Sequence, residues 1–474
     1  MVSLRITGDP FIDAGSMAAE AIFDKLGLKE ATKENWLKVI DWAATIYQDK
    51  WGSAIDAISL NGVVTHNQKR KRARKEAITF YQKIFSNQNP YKWPAIRGWC
   101  RGCGSHELLF GGGRDILPLS GSGAFLNFHH AHENGLFLCK HCVASLFFVP
   151  FSVLQCGKNI ALLQTRTKPL REFWKKNTVM QNLGDIAVGK SQGILRSPYN
   201  NVKNALFGLV NNLITEWHSA KKEFVAEDLR LFYFTNFGAN PECEIYDLPA
   251  DVFHFLWIVS DPAVPHVYDA WKTFVRRNYR IRDADFDEDT RSWKKSKGKS
   301  KSELSEKDYL NSPNFVYQRL LSGKNILSLM YVQRQRKTLV PIEIPKAYLL
   351  EVRHMKKERI DAVLLLADRI CEIIRAEKAP KLLYPIESAR VVYEFRAGLL
   401  KLFKKNMQLG NEEPLFTTED YLYKLLPDGE PWSDVRDLLL IRIYEKLHDE
   451  LRTQPEAVSE ESIEVPIEAV DDEL

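Results

Sequence analysis

The stretch "WCRGCGSHELLFGGGRDILPLSGSGAFLNFHHAHENGLFLCKHC", Trp99–Cys142, holds two Cys-x-x-Cys pairs with 35 residues between them. A Cys-x-x-Cys turn aims two thiolates at one centre, and a second pair completes four tetrahedral sulfur ligands. Cys100, Cys103, Cys139 and Cys142 are therefore expected to hold one structural zinc. An iron–sulfur cluster is the other occupant such a set takes. Arg101 and Lys140, inside the pairs, are cations that offset part of the charge of four thiolates. Four protein ligands close the site and leave no position for a substrate. Cys156, Cys243 and Cys371 are isolated in sequence and read as core residues.

The insert between the pairs offers His129, His130, His132 and Glu133 in "FHHAHE". A second, hydrolytic metal site would need His-x-His or His-Glu-x-x-His spacing together with a carboxylate partner, and that set is not completed nearby. A loop wrapped around the zinc module is expected instead, with a zinc-dependent nuclease as the alternative. "GGGRDILPLSGSG" is glycine-rich but lacks the Gly-Lys-Ser/Thr of a phosphate loop, and the chain has no such motif elsewhere, so nucleotide hydrolysis finds no support.

The remaining composition sets the class. The chain has 474 residues, 45% apolar, enough for several domains with ordinary cores. "MVSLRITGDPF" shows no basic segment followed by an apolar run and a cleavage site, so no secretory leader is expected. The most apolar window, Gly135–Leu154, contains Lys140, His141 and Pro150 and is rejected as a membrane span. A cytoplasmic protein without membrane contact follows, where paired cysteines hold metal rather than form disulfides. Residues 454–474 hold eight acidic residues and no basic one, so the first 453 carry 66 cations against 53 anions, a balance of +13. A basic body with a short acidic, disordered tail points to a polyanionic partner, most often nucleic acid.

Periodicity divides the chain. "LRITGDPF" reads as a short strand and a turn, with a helix from about Ala14. "KENWLKVIDWAATIYQDKW" is an amphipathic helix, "AISLNGVVTHNQ" a broken strand, and "KRKRARKEAITFYQKIF" a helix. "KNIALLQTRT" and "LRLFYFTNFG" read as strands on either side of a helix in "YNNVKNALFGLVNNLITEWHSAKKEF". The expected fold class is α+β: a large mixed body over residues 1–340 with an embedded zinc module at about 95–160. Residues 282–308, charged and nearly free of apolar side chains, are expected to form a mobile insertion or linker. Residues 341–453 read as helix alone: Arg359–Lys378, Ile386–Asn406, a third helix opened by the Thr417-x-x-Asp420 cap, and a fourth capped by Ser433. Short connections between them suggest an antiparallel bundle.

Lys69, Arg70, Lys71, Arg72, Arg74 and Lys75 fall within seven residues. If a helix begins near Asn67, these cations crowd its positive end, where phosphates relieve both the repulsion and the dipole penalty. A solvated charged face is the plainer explanation. Asn61, Asn67, Arg114 and Asn127 are weaker candidates for reading a duplex, and Arg390, Arg396, Lys401, Lys404 and Lys405 recur at near-helical spacing in the C-terminal part.

"TGDPFIDAG", the paired "CRGC" and "CKHC", "LPLSGSGAFLNF" before "NGLFLCKHC", and "LRLFYFTNFGANPECEIYDLP" together resemble the CXXC–CXXC family of CRISPR-associated proteins. The resemblance covers most of residues 1–260. That family supplies the large subunit of type I-B Cascade, the RNA-guided surveillance complex. The resemblance implies a non-catalytic subunit beside the crRNA 5′ handle that inspects duplex DNA for the protospacer-adjacent motif and promotes R-loop formation. Implied partners are crRNA, target double-stranded DNA, the displaced single strand, and the backbone, handle-binding and small subunits. A helicase–nuclease effector or, in transposon-linked systems, a transposition adaptor completes the set. In this family the small subunit can arise from an internal start, for which Met330 and Met355 are placed. A zinc-stabilised RNA-binding protein unrelated to CRISPR is the remaining alternative.

Overall fold

The first helix begins where local chemistry dictates. Asp9 accepts hydrogen bonds from the backbone N–H of Phe11 (2.9 Å) and Ile12 (2.8 Å). Pro10 follows at the first helical position, where no N–H is required. The computed structural model describes residues 2–50, 55, 58, 62, 67–91, 94–113, 116–119, 136–191, 193–225, 227–235, 242–297 and 300–452. Helix α1 (Pro10–Lys25) is buried on every side from Ile12 to Phe23, so it is a central rather than a surface element. It starts four residues before the expected Ala14, and the segment before it is not a strand. The backbone there is satisfied by side chains of α1 instead of a sheet neighbour. Leu4 N–H donates to Glu20 (2.8 Å), while Thr7 and Gly8 N–H donate to Asp13 (2.7 and 2.9 Å).

Helices α2 (Lys33–Lys50) and α3 (Ala73–Phe85) pack on each other. Strands β1 (Ile96–Trp99), β2 (His106–Gly112) and β3 (Leu136–Cys139) form an antiparallel sheet in that order. Helix α4 (Lys140–Leu146) follows β3 without a break and packs on α1. A five-stranded sheet comes next, built from β4 (Leu154–Cys156), β5 (Asn159–Gln164), β6 (Leu195–Arg196), β7 (Leu229–Thr235) and β8 (Glu242–Leu248). Its order is β6-β4-β5-β7-β8, and only β4–β6 is parallel. Helices α5 (Lys168–Trp174) and α6 (Gln181–Ala187) are joined by a π turn that packs on α1, and α7 (Val202–Ser219) is capped by Asn201.

After α8 (Ala250–Val259) and α9 (Pro265–Arg277) comes the stretch expected to be a mobile insertion or linker. It instead carries strands β9 (Ala284–Asp287), β10 (Ser292–Lys297) and β11 (Ser300–Glu303), paired antiparallel. Two aromatic residues anchor this charged meander. Phe286 and Trp293 meet edge to face at 5.7 Å, and Trp293 Nε1–H donates to the Arg276 carbonyl (2.8 Å). Helices α10 (Glu306–Asn311) and α11 (Phe315–Leu321) lead to a hairpin of β12 (Tyr331–Val332) and β13 (Lys337–Thr338).

From Glu343 onward every described regular element is helical: α12 (Glu343–Glu351), α13 (Lys357–Glu377), α14 (Tyr384–Glu387), α15 (Val392–Gln408), α16 (Thr418–Asp420), α17 (Trp432–Lys446) and α18 (His448–Arg452). The expected helix over Ile386–Asn406 is broken at Ser388–Val391. Thr417 and Asp420 form the expected capping box, whereas α17 starts at Trp432 behind Pro431 rather than at a Ser433 cap. Helix α13 packs along α17, and α15 touches both. A buried polar cluster ties the β12–β13 region to these helices. Arg336 forms a fork with Glu387 (2.8 and 2.8 Å), Tyr331 donates to Asp437 (3.0 Å), and Asn325 and Arg353 donate to Asp434 (2.6 and 3.0 Å). A cut at Val340 passes through this cluster.

Candidate metal centre and charged surfaces

The first cysteine pair lies in the turn between β1 and β2. Cys100 N–H donates to the Ser105 carbonyl (2.7 Å) and Gly104 N–H to the Cys100 carbonyl (2.9 Å), with Gly104 at φ +67°. Arg101 N–H reaches the Phe137 carbonyl (3.0 Å), which draws the turn onto β3. The second pair spans the junction of β3 and α4, with Cys139 as the residue before the helix and Cys142 in its first turn.

The four sulfurs converge, all within 4.8 Å of one another. Cys100 and Cys142 Sγ are 3.8 Å apart, and Cys103 and Cys139 Sγ 3.7 Å. A tetrahedral ion with metal–sulfur bonds of about 2.3 Å sets its sulfurs about 3.8 Å apart, so the spacing fits such an ion. Cys139 N–H donates to Cys100 Sγ (3.2 Å), and Cys100, Cys139 and Cys142 are buried. The thiols alone cannot share four negative charges. Hydrogen bonds from Cys139 and then Cys142 pull the Cys100 thiol well down. In return the bond to Cys100 pushes Cys139 up to about 12 and Cys142 further still. A dication removes that conflict by binding all four as thiolates. The set is thus compatible with one structural metal ion.

Around it the structure adds groups absent from the sequence reading. Ser105 Oγ lies 3.1 Å from Cys103 Sγ and donates to Glu107 (2.7 Å). Glu107, Cys139 and His141 also cluster within ligand distance, but they share Cys139 with the four-sulfur set. The x-Ser-x-Glu pattern after the first pair was the available signal. His129, His130, His132 and Glu133 lie outside the described residues.

The module is locked to α1. A methyl on Gly15 would fall 2.0 Å from the Ser145 carbonyl oxygen, and one on Gly102 would fall 2.5 Å from Ile12 Cδ1. Ser16 Oγ donates to Ser145 Oγ (3.0 Å) between the same elements. "TGDPFIDAG" and the cysteine pairs, some 90 residues apart in sequence, are one packed unit.

The basic run is placed less simply than expected. Asn67–Arg72 is a 3₁₀ turn, and α3 begins only at Ala73. Arg70 is half-buried, and Lys71, Arg72 and Lys75 are exposed at the positive end of that helix. Arg74 forms a fork with Asp41 on α2 (2.6 and 2.7 Å), so its charge is already answered within the protein. Asn61, Arg114 and Asn127 lie outside the described residues, as do the side chains of Asn67 and Lys69. Of the C-terminal cations, Arg390, Lys401 and Lys404 are exposed. Lys405 pairs with Glu377 (2.8 Å), and Arg396 is half-buried, so the five do not form one free face.

No protein-family model matches the chain, and no curated protein is detectably similar to it. Among the described residues no helix is long and apolar enough to cross a membrane.

Proposed function

We propose that the chain is a non-catalytic, zinc-stabilised nucleic-acid-binding subunit, the large subunit of a type I-B RNA-guided surveillance complex. The observation that carries this is the union of α1 with the cysteine module. Two of the sequence features that carry the family resemblance, "TGDPFIDAG" and the cysteine pairs, lie on elements packed together through Gly15, the adjoining Ser16 and Gly102. A chance pairing of unrelated motifs would not require that contact. Lys71, Arg72 and Lys75 at the positive end of α3, joined by Arg70, supply a surface for phosphates. In such a complex base pairing reads the target, while the protein reads backbone and a few base edges. The helices from Glu343 onward then serve as a small-subunit-like bundle along the displaced strand, working in the cytoplasm.

The test is binding of a labelled duplex to the full chain across a salt series. Replacing Arg70, Lys71 and Arg72 together by Gln is expected to weaken binding and to reduce the slope of log K against log salt by about 2 to 3. An unchanged slope contradicts the assignment. The same duplex incubated with Mg²⁺ is expected to stay intact; cutting would favour the nuclease reading of the histidine insert.

A further inference from the structure

Trp99 is the residue of the cysteine module that the zinc site does not use. The residue is 65% exposed, unusual for so large an apolar side chain. It stands on β1, directly before the ligand Cys100, so the metal centre holds its backbone. The strand register puts Arg97, Trp99, His106 and Leu108 on one face of the β1–β2 hairpin and Glu107 on the other. Further along that face Phe110 and Leu138 are fully buried, so the hairpin is anchored at one end and emerges at the other. The His106 ring meets the indole edge to face, with centroids 5.0 Å apart and planes at 71°. That contact favours one tilt of the indole. Arg97, on the same face, is exposed, and so is Arg101, two residues beyond Trp99 in the turn. Strand β1 is also the outer strand of its sheet.

We propose that Trp99, held by His106 and flanked along the chain by Arg97 and Arg101, is a stacking platform for an unpaired base of single-stranded nucleic acid. This rests on the nucleic-acid reading above and names a second contact surface for it. A rigid aromatic face between cations suits a base with its phosphates, and stacking tolerates any base because each has a π face. Inside a duplex both faces of each base are already covered and only the terminal pairs expose one, so the platform favours single strands. A protein hot spot also uses Trp and Arg, but at the packed, desolvated centre of a patch. Here the neighbours are Arg97, His106 and a half-buried Leu108.

The experiment measures anisotropy of a labelled oligo(dT) and of a blunt duplex with the full-length chain. Trp99→Ala is expected to weaken oligo(dT) binding roughly tenfold or more, with duplex affinity and zinc content unchanged. Trp99→Phe should retain most of the affinity. The triple Gln variant of the basic run should weaken both probes. Equal losses on both probes from Trp99→Ala, or no loss, would overturn the platform. Loss of a protein partner with unchanged oligo(dT) binding would overturn it as well. If the wild-type chain binds duplex but not oligo(dT), the platform fails while the nucleic-acid reading stands. If it binds neither, both fail.

Discussion

Gly15→Ala adds one methyl group to α1 and probes the contact that joins the N-terminal motif to the metal module. The new Cβ would sit 2.0 Å from the Ser145 carbonyl oxygen and 2.7 Å from its carbon, where ordinary contact begins at 3.4 Å. Both partners are backbone, so neither can rotate away. Helix α1 must withdraw from α4 by about 1.4 Å, the difference between those distances. That withdrawal stretches the buried Ser16–Ser145 hydrogen bond, now 3.0 Å, past its useful range. Overpacking costs about 1–3 kcal/mol and the lost bond about 0.5–1.5, so a loss of roughly 2–4 kcal/mol is expected. Ile12, one turn earlier, should loosen from Gly102 and speed metal release to a chelator. The control is Gly184→Ala on α6, where a methyl meets nothing within 4 Å. There a helical glycine is replaced in open space, so stability should hold or rise by up to about 1 kcal/mol. Urea midpoints and chelator-triggered zinc release would be compared for the two variants. Wild-type values for Gly15→Ala in both assays would refute the coupling.

Metal analysis of the purified chain should find about one zinc per molecule. Cys139→Ser should abolish it, whereas Cys156→Ser, whose thiol donates to the Tyr199 carbonyl (3.1 Å), should keep it. Arg74→Gln should leave the salt dependence of nucleic-acid binding unaltered, because its guanidinium is held by Asp41. Asp420 is held down from 3.8 to about 2 by hydrogen bonds from Lys424 and Thr417. Its contribution to the start of α16 is therefore complete above pH 3.8 and lost as pH falls toward 2. Asp420→Asn should remove that acid limb from hydrogen exchange at Thr417, and an identical limb in the variant would contradict the cap. If a separate C-terminal polypeptide is made, mass spectrometry should find it starting at Met330, which keeps Tyr331, Arg336 and Arg353. A start at Met355 discards all three and leaves Asp437, Glu387 and Asp434 buried without them.

The cysteine set was legible because thiolate spacing is a local code: two turns each present a pair, and the fold only has to bring them together. Strands β5 and β7 and helix α7 were legible for a similar reason, each being a long apolar run with clear breaks. The N-terminal segment was not. Leu4 and Ile6 alternate like a strand, yet the N–H groups of Leu4 and Thr7 are answered by Glu20 and Asp13, acids that only the folded helix brings within reach. The meander over β9–β11 was missed because cross-strand pairing needs little apolar area once Phe286 and Trp293 anchor it. The polar cluster crossing Val340 was hidden for another reason. Asp434 and Asp437 lie in a helix whose pattern reads as a solvated start, and their burial depends on Asn325, Tyr331 and Arg353 from distant sequence. In the basic run, charge density was visible, but the capture of Arg74 by Asp41 is a tertiary fact.

The most direct test of the central claim is to isolate the chain from its native cells under gentle conditions and sequence the RNA that accompanies it. RNAs that share one repeat-derived 5′ end and differ in the guide that follows are expected. A chain recovered without RNA, or with RNAs that share no common 5′ element, would contradict that claim.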